Sequence, residues 1–485
     1  MSQYLQNAIV ESSHQLYSSL PAHGKPLIRS NGVPEWTILS TFSLVVPQPQ
    51  LEPQLRVIPI SLGTGVKCLP YSKLSEYGDT LHDSHAEIIA RRGFLRWLLW
   101  QAHLQAQVMR GEQVEEELFV EMREEAGDRG RLRLKDGVQV WMYISMLPCG
   151  DASTYYTSVH QSAEEASQWS VTDDDHSRPS NMGVIRGRNG YTAISTLRTK
   201  PGRPDSIPSI SMSCSDKIAS WSALGIQGGL LANLFRPIYL DGIIVGGVER
   251  PANTHGRQID AYEWEDKIKR ELERSLCGRL ESIKDHLTSP HQLHLASIYL
   301  TSIPFEHSKI SIIHDPHNDS SDLVPSPSPL SLSHLPFLPS THPKKGNKPE
   351  IIAEGGILGF PWKKGVLNKD KGRSRICKLS LLIEYEKLLS NEKARTLGIT
   401  LDVNDGTYYG YKHLTVFGRE YQHNKIILRG IPGQSQSVKG LEKFEEISST
   451  GVPDSPKTKE EPPFRGWLVS GKQFESFTSS GQIHR

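Results

Sequence analysis

Two kinds of hydrophobic periodicity alternate along roughly the first 310 residues of the chain. Apolar runs with a two-residue repeat predict strands, and longer runs with apolar residues three or four apart predict helices. The predicted strands are Glu35 to Val46, Arg56 to Leu62, Val138 to Met146 and Pro237 to Gly246, and the predicted helices are residues 4–19, 84–108, 215–235 and 258–285. Strands that alternate with helices indicate a layered α/β core.

The pattern weakens in the C-terminal third. Residues 315–350 are rich in Ser and Pro, and such a composition buries too little apolar surface to offset the entropy of ordering, so we predict a disordered insertion. A helical pattern returns at residues 375–390. Residues 432–463 are polar and charged and predict a flexible loop, after which Trp467 and Phe477 rejoin the core.

Length, charge and cysteine content limit which classes of protein this chain can belong to. At 485 residues the chain exceeds the usual size of one domain, and length alone favours two or three. Lys and Arg number 55 against 54 Asp and Glu, a net charge of +1, so nucleic-acid binding would need a local basic patch. Five cysteines, an odd number, argue against a disulfide framework and fit a reducing compartment. Without a signal peptide or an apolar run of membrane-spanning length, we expect a soluble protein of the cytoplasm, the nucleus or both.

Three short motifs carry candidate metal ligands. They are Asp83-Ser84-His85-Ala86-Glu87, Pro148-Cys149-Gly150 and Ser213-Cys214-Ser215-Asp216-Lys217. One imidazole and two thiolates can hold Zn²⁺ tetrahedrally and leave the fourth position for a water molecule, whose pKa the metal lowers toward about 7. Glu87 could then move protons to a nucleobase ring and its leaving amine, as in zinc nucleobase deaminases.

Each motif alone also has a plainer interpretation. Residues two apart on an ideal helix point about 200° away from each other, so His85 and Glu87 can share a site only if they straddle a helix start. His85 could otherwise be a helix-cap residue, and Cys149 and Cys214 could be buried, unreactive thiols. The combination favours a metal site, because each candidate ligand precedes a predicted helix and has small or polar neighbours.

The spacing of the cysteines departs from the Pro-Cys-x-x-Cys pattern of most nucleobase deaminases. Cys149 is followed by Gly-Asp-Ala, and Cys214 comes 65 residues later (214 − 149). That separation is similar to the adenosine deaminases that act on RNA, and it is unlike cytidine deaminases and bacterial-type tRNA deaminases.

The chain as a whole resembles the eukaryotic tRNA-specific adenosine deaminases, whose editase domain is shared with the double-stranded-RNA adenosine deaminases. The matching blocks are Arg29 to Gly32, Glu35 to Thr37, Gly63 to Cys68, Asp83 to Arg92, Ser145 to Asp151, Leu197 to Arg203, Ser211 to Gly228 and Ser374 to Lys378. The resemblance implies one editase domain over residues 1–485, with a cytidine-deaminase-like α/β/α core, a mixed sheet and an added helical C-terminal part.

The resemblance also implies roles for individual residues. His85, Cys149 and Cys214 would be the zinc ligands, Glu87 the proton carrier and Lys67 a contact to the substrate nucleotide. The implied product is inosine. No obligate protein partner is evident from the sequence.

Two features favour tRNA over long duplex RNA as the substrate. Deaminase-like sequence begins within the first 40 residues, which leaves no room for double-stranded-RNA-binding domains, and Pro201 to Ser206 replaces the Glu-bearing loop of the duplex-editing relatives. A loop adenosine is already unstacked and therefore easier to extrude. The resemblance implies the adenosine 3′ of the anticodon (position 37) of tRNA-Ala. Editing of messenger or duplex RNA, or a zinc-bearing RNA-binding protein without catalysis, are the alternatives.

The relatives also bury inositol hexakisphosphate, and the resemblance implies the same here. Such a polyanion needs a shell of cations that would otherwise be an unpaired buried charge cluster. The matching positions are Arg91, Arg92, Lys217, Lys378, Tyr408, Lys412, Tyr421, Lys425, Trp467 and Glu475. Asp83 and Lys200 match the pair that links the inositol phosphate to a zinc ligand. A solvated, RNA-facing surface is the other interpretation of these cations.

Overall fold

The structure is a computed structural model of the chain. It describes residues 2–48, 54–122, 131–160, 184–188, 190, 193–200, 206–251, 260–314, 323–338, 347–360, 363, 365–389, 406–416, 418–431 and 461–484.

Sixteen strands and ten α-helices lie within these ranges. The strands are β1 Glu35–Trp36, β2 Leu39–Pro47, β3 Leu55–Thr64, β4 Val66–Cys68, β5 Asp83–His85, β6 Val120–Met122, β7 Leu132–Leu134, β8 Gln139–Ile144, β9 Val184–Arg186, β10 Leu197–Thr199, β11 Gly242–Val245, β12 Ser297–Leu300, β13 Ser326–Pro327, β14 Ser331–His334, β15 Glu350–Ala353 and β16 Gly356–Ile357.

The helices include short ones as well as the long ones that pack on the sheet. The α-helices are α1 Gln3–Ser19, α2 Ala86–Met109, α3 Thr154–His160, α4 Cys214–Leu224, α5 Gly228–Leu231, α6 Ala261–Leu276, α7 Lys309–Ile313, α8 Lys378–Leu389, α9 Tyr408–His413 and α10 Arg419–Arg429. Short 3₁₀ segments are Tyr71–Lys73, Asp151–Ser153, Gly278–His286, Asp370–Gly372 and Lys472–Phe474. None of the described helices combines the length and apolar composition needed to cross a membrane.

Eight strands form the central sheet, in the order β12-β11-β8-β2-β3-β14-β15-β16. Strands β12, β11 and β8 run parallel to one another, and each of the other neighbouring pairs is antiparallel. The sheet is therefore mixed, as the sequence predicted.

Alternate residues of the strands pack on opposite faces of this sheet, because successive side chains of a strand point to opposite sides. From β8, Val140 and Met142 join the larger core together with α2, whereas Trp141 and Tyr143 join a smaller core together with α1. The sheet thus lies between α1 and the remaining helices, which confirms the α/β/α layering. Helices α8, α9 and α10 form the predicted helical C-terminal part.

The segment predicted to be a disordered insertion supplies a strand to the central sheet. Strand β14 pairs antiparallel with β3 and β15, and Leu332 and Leu335 are fully buried. The prediction of disorder was therefore wrong for residues 323–338, because an average over the Ser/Pro-rich composition hides the three leucines spaced between polar residues from Leu330 to Leu335. Residues 315–322, 339–346 and, in the predicted flexible loop, 432–460 lie outside the described residues.

Several predicted elements are shorter than the sequence pattern indicated. The helix predicted over 215–235 ends at Leu224, because Gly225 takes a left-handed φ of 77°. The helix predicted over 258–285 changes to a 3₁₀ segment after Leu276, and the strand predicted over 237–246 is limited to β11. Hydrophobic periodicity located these elements but not their ends.

Replacing Leu332 by Ala tests the unexpected strand. We expect the free energy of unfolding to fall by about 2 to 5 kcal/mol, because a buried Leu is truncated in a packed core. Val324→Ala in the same segment is the control, since Val324 is 80% exposed and its truncation should stay within about 0.5 kcal/mol. Equal, small effects in urea denaturation would mean that β14 does not form.

Candidate active site

His85 and Glu87 stand on either side of a helix start. His85 ends β5 and is the N-cap residue of α2, with an extended backbone (φ −68°, ψ 144°), and Glu87 is the second residue of that helix. The partner strand β4 pairs Val66 with His85 and Lys67 with Ser84. The irregular backbone at this corner is the condition under which the two side chains can face one site, as the sequence predicted.

The two cysteine loops are joined backbone to backbone. Cys149 follows β8, and Cys214 is the first residue of α4. The amide and hydroxyl of Ser215 both donate to the Cys149 carbonyl, at 3.0 and 2.8 Å. Gly150 has φ 101°, and a Cβ there would lie 2.2 Å from Ser213 Oγ. Only glycine allows this close approach, which brings residues 65 apart in sequence into contact.

The three candidate ligands meet at Cys149. Its thiol hydrogen-bonds with the side chains of both His85 and Cys214, and the Cys214 amide donates to Cys149 Sγ at 3.4 Å. Within the described ranges, no three His, Cys, Asp or Glu side chains are spaced as a ready set of metal ligands. Cys149 thus contacts each of the other two candidate ligands.

The chemistry of these donors fits Zn²⁺, which requires deprotonated thiols and a neutral imidazole. The hydrogen bond from Cys214 holds the pKa of the Cys149 thiol well below its usual range, while burial raises the pKa of Cys214. The pKa of one thiol is thus lowered and that of its neighbour raised, and a bound Zn²⁺ would require both as thiolates.

Asp83 orients His85 and connects it to two lysines. His85 Nδ1 donates to Asp83 Oδ1 at 2.9 Å, which leaves Nε2 free of that bond and suited to a metal. Lys200 Nζ lies 2.8 Å from Asp83 Oδ2 and 3.1 Å from Cys214 Sγ, and Lys217 also donates to Asp83 Oδ2. Burial and Lys200 oppose protonation of His85, but Asp83 outweighs them and raises the His85 pKa to about 10.

Glu87 has the properties of a proton carrier. Its side chain is buried, and Oε2 has no hydrogen-bond partner in the described structure. Burial, followed by the nearby Cys149, raises the Glu87 pKa. A buried carboxylate oxygen that lacks a hydrogen-bond partner raises the free energy of the folded protein. The site therefore favours binding of a polar group from outside the chain.

A cluster of buried charges adjoins this site. Glu475 accepts hydrogen bonds from Lys412 Nζ at 2.6 Å, His413 Nε2 at 2.9 Å and Lys378 Nζ at 3.1 Å. We call the following set the cation cluster: Arg91, Arg92, Lys217, Lys378, Tyr408, Lys412, His413, Tyr421, Lys425, Arg429, Trp467 and Glu475.

The cation cluster has more positive charge than its own carboxylate balances. Burial lowers the pKa of Lys378 to about 8 and that of Lys425 to about 7, and it lowers the pKa of Arg91 and Arg429 to about 10. Such shifts are those expected of half-buried cations that the protein compensates poorly. A multivalent anion is the ligand that would compensate them.

The sequence reasoning missed two members of this cluster, Arg429 and His413. Arg429 lies 3.7 Å above the Trp467 ring. It follows Tyr421 and Lys425 at four-residue intervals on α10, a spacing that places all three on one helix face. That spacing was a usable signal for Arg429.

Two further predictions concern the substrate. Lys67 is exposed on β4, next to Ser84, and the Pro201–Ser206 loop lies outside the described residues apart from Ser206.

Comparison with known proteins identifies the domain. The model of the adenosine-deaminase (editase) domain matches residues 61–435, a range that includes all three candidate ligands and Glu87. The chain belongs to this family.

Individual relatives are similar over different lengths. The chain is 34% identical over 260 residues to tRNA-specific adenosine deaminase 1 of Schizosaccharomyces pombe, across 52% of this chain and 61% of that protein. It is 27% identical over 496 residues to the protein of the same name from Mus musculus, across 81% of this chain and 90% of that protein. The match to the double-stranded RNA-specific editase Adar of Drosophila melanogaster is 30% over 250 residues, half of this chain and 32% of the editase.

Gly150→Ala should disrupt the contact between the cysteine loops. We expect the free energy of unfolding to fall by at least about 2 kcal/mol, because the new Cβ meets Ser213 and the backbone angle favours glycine. Gly111→Ala is the matched control: Gly111 also has a positive φ (76°), but no described atom lies within 4 Å of its added Cβ, so it should cost only about 1 kcal/mol. Equal losses in thermal or urea unfolding would contradict the close approach.

Proposed function

We propose that this protein hydrolyses adenosine to inosine in tRNA, with Zn²⁺ bound by His85, Cys149 and Cys214. The observation that carries the proposal is the meeting of these three side chains at Cys149, beside the unpartnered Oε2 of Glu87. The match to the editase domain and the relatives named tRNA-specific adenosine deaminase 1 support it.

The chain's own residues have separate tasks in this reaction. Zn²⁺, when bound, would lower the pKa of a water molecule to about 7 and so supply the nucleophile at neutral pH. Glu87 would take one proton from that water and deliver it to N1 of the purine, and would then carry the second proton, from the hydroxyl that the attack leaves on C6, to the departing amine. Asp83 keeps His85 in the tautomer that presents Nε2, and Lys200 stabilises the Cys214 thiolate by its hydrogen bond at 3.1 Å.

The substrate we propose is the adenosine 3′ of the anticodon, position 37, of tRNA-Ala. An anticodon-loop adenosine does not have to be pulled from a base pair, so its extrusion requires less free energy than in a duplex. Lys67 is exposed on β4 beside the site, and we propose that it contacts the substrate nucleotide.

The cation cluster is proposed to hold inositol hexakisphosphate. Phosphate oxygens are strong acceptors for Lys and Arg, and the lowered pKa values of Lys378 and Lys425, caused first by burial and then by neighbouring cations, support a bound anion here. A bound polyanion would restore the charged form of both lysines. It would lie close to Lys217, which donates to Asp83 and thereby adjoins His85.

Sequencing for A-to-G changes after incubation with purified protein tests the function. We expect inosine at position 37 of tRNA-Ala and much less in a long perfect duplex. Preferential editing of the duplex would support the alternative, a double-stranded-RNA editase, which the match to the Drosophila editase keeps open. No inosine in either RNA from zinc-loaded protein would contradict the proposal.

Glu87→Ala should abolish inosine formation while zinc content and tRNA affinity stay at the wild-type level. The reason is that Glu87 moves protons but does not coordinate the metal in the proposed mechanism. The control is Glu281→Ala, which removes an exposed carboxylate. The measurements are inosine by sequencing, zinc by elemental analysis and tRNA affinity by titration. Inosine at the wild-type rate from Glu87→Ala would disprove the assigned role.

Stability of the anion-free protein should rise with pH above about 7. Burial lowers the Lys425 pKa from 10.5 to about 7, so between these values the unfolded chain binds more protons than the folded chain, and stability increases with pH. Added inositol hexakisphosphate should flatten this rise, since it favours charged lysine. Lys425→Met should reduce the slope in urea unfolding between pH 7 and 9. An unchanged slope in both experiments would be evidence against a buried, uncompensated Lys425.

A further inference from the structure

Each candidate cysteine ligand is followed two residues later by an aspartate. Asp151 follows Cys149 and Asp216 follows Cys214, and both carboxylate side chains are 0% exposed. Each aspartate accepts a backbone amide from the segment Ser195 to Arg198: Asp151 Oδ1 accepts from Ser195 N at 2.9 Å. The proposed mechanism uses neither of them.

Asp216 is fixed in the same way from the other side. Its Oδ2 accepts from the amide of Arg198 at 2.9 Å and from the hydroxyl of Ser213 at 2.7 Å. The second oxygen, Oδ1, is turned away from these donors toward Arg279. The two aspartates are therefore rigid extensions of the two cysteine loops.

One guanidinium faces both aspartates. Arg279 Nη2 lies 2.8 Å from Asp216 Oδ1, and Nη1 lies 3.7 Å from Asp151 Oδ2. The Arg279 side chain is 3% exposed, so both ion pairs are shielded from water. We propose that Arg279 is a positioning residue, which sets the separation of the Cys149 and Cys214 loops and thereby keeps the two thiols at the spacing that a metal requires.

The chemistry of arginine suits this role. Its planar guanidinium presents several donors in a fixed fork, so one side chain can serve two carboxylates at a defined distance, whereas a lysine ammonium is a single point charge. Moving the Cys214 loop away would separate the buried Asp216 carboxylate from Arg279, a loss of charge pairing that proteins avoid.

Arg279 is itself held in place from its other side. Its guanidinium lies 4.7 Å from the centre of the Phe464 ring. Phe464 stacks on Trp467 at 5.6 Å, and Trp467 lies under Arg429 of the cation cluster. This Arg-Phe-Trp-Arg stack connects the cation cluster with the cysteine loops by a route that does not pass through Asp83 or Lys200.

Arg274 provides a matched control. It also pairs with Asp151, at 2.8 Å, but its second carboxylate partner is Glu271 on the same helix. Removing Arg274 therefore takes one cation from Asp151 without removing the bridge between the loops.

The experiment uses the full chain stripped of metal and titrated with Co²⁺, whose absorption bands report thiolate coordination. This inference rests on the proposed metal site, which the wild-type titration tests by itself. We expect Arg279→Gln to weaken Co²⁺ binding about tenfold, because mutating residues that orient metal ligands lowers metal affinity by about 10- to 100-fold. The absorption bands of the Co²⁺-bound protein should also change. Arg279→Lys should recover thermal stability but not the wild-type Co²⁺ affinity, and Arg274→Gln should bind Co²⁺ like the wild type.

The possible outcomes are distinguishable. Wild-type Co²⁺ affinity and spectrum in folded Arg279→Gln or Arg279→Lys, beside normal binding by the wild-type chain, would overturn the role of Arg279 alone. Absence of thiolate bands in the wild-type chain would overturn the metal site and this inference together. If Arg279→Gln does not fold, the Co²⁺ affinity of Arg279→Lys decides.

Discussion

The buried carboxylate of Asp83 is the interaction on which the rest of the site depends. It accepts from His85 on one oxygen and from Lys200 and Lys217 on the other. Burial alone would favour the neutral acid, but the two lysines overcome it and hold the Asp83 pKa well below its usual range. A permanent negative charge is thereby fixed at the entrance to α2, where it orients an imidazole and anchors the lysine that contacts Cys214.

The cation cluster is a second group of interacting charges, and most of it lies in the C-terminal part. Its members come from α2, α4, α8, α9, α10 and the segment around Glu475, so these elements converge on charge as well as on hydrophobic contacts. Uncompensated cations repel one another in a medium of low dielectric. An anion bound at this position would offset the repulsion between the cations and stabilise the packing of the six segments.

Local sequence signals predicted the catalytic corner well. The helix predicted over 84–108 located the start of α2 to within two residues, and with it the relation of His85 to Glu87. The strand predicted over Val138 to Met146 located the corner that precedes Cys149. The relations that sequence could not predict are those made by distant segments. Arg279 has no motif around it, and its importance appears only when Asp151, Asp216 and Phe464 are seen to surround it.

The Ser/Pro-rich composition of residues 315–350 led to a wrong prediction of disorder for a related reason. The Ser/Pro-rich stretch has too few apolar residues to form a core alone, but the four-residue strand β14 pairs with β3 on one side and with β15 on the other. A strand in this position draws its stability from partners that the local sequence does not show.

The junction of Ser215 with the Cys149 backbone has a consequence for how such a protein can change over time. Because the two thiol-bearing loops are fastened where they touch, and Ser195, Arg198 and Lys200 bond directly to the site, the length of chain between α3 and β9 need not set the distance between the loops. Doubling the length of such an excursion costs only about 0.6 kcal/mol of closure entropy. Insertions and deletions between α3 and β9 should therefore be tolerated, so that lineages could differ greatly in length there while the chemistry at the junction stays the same.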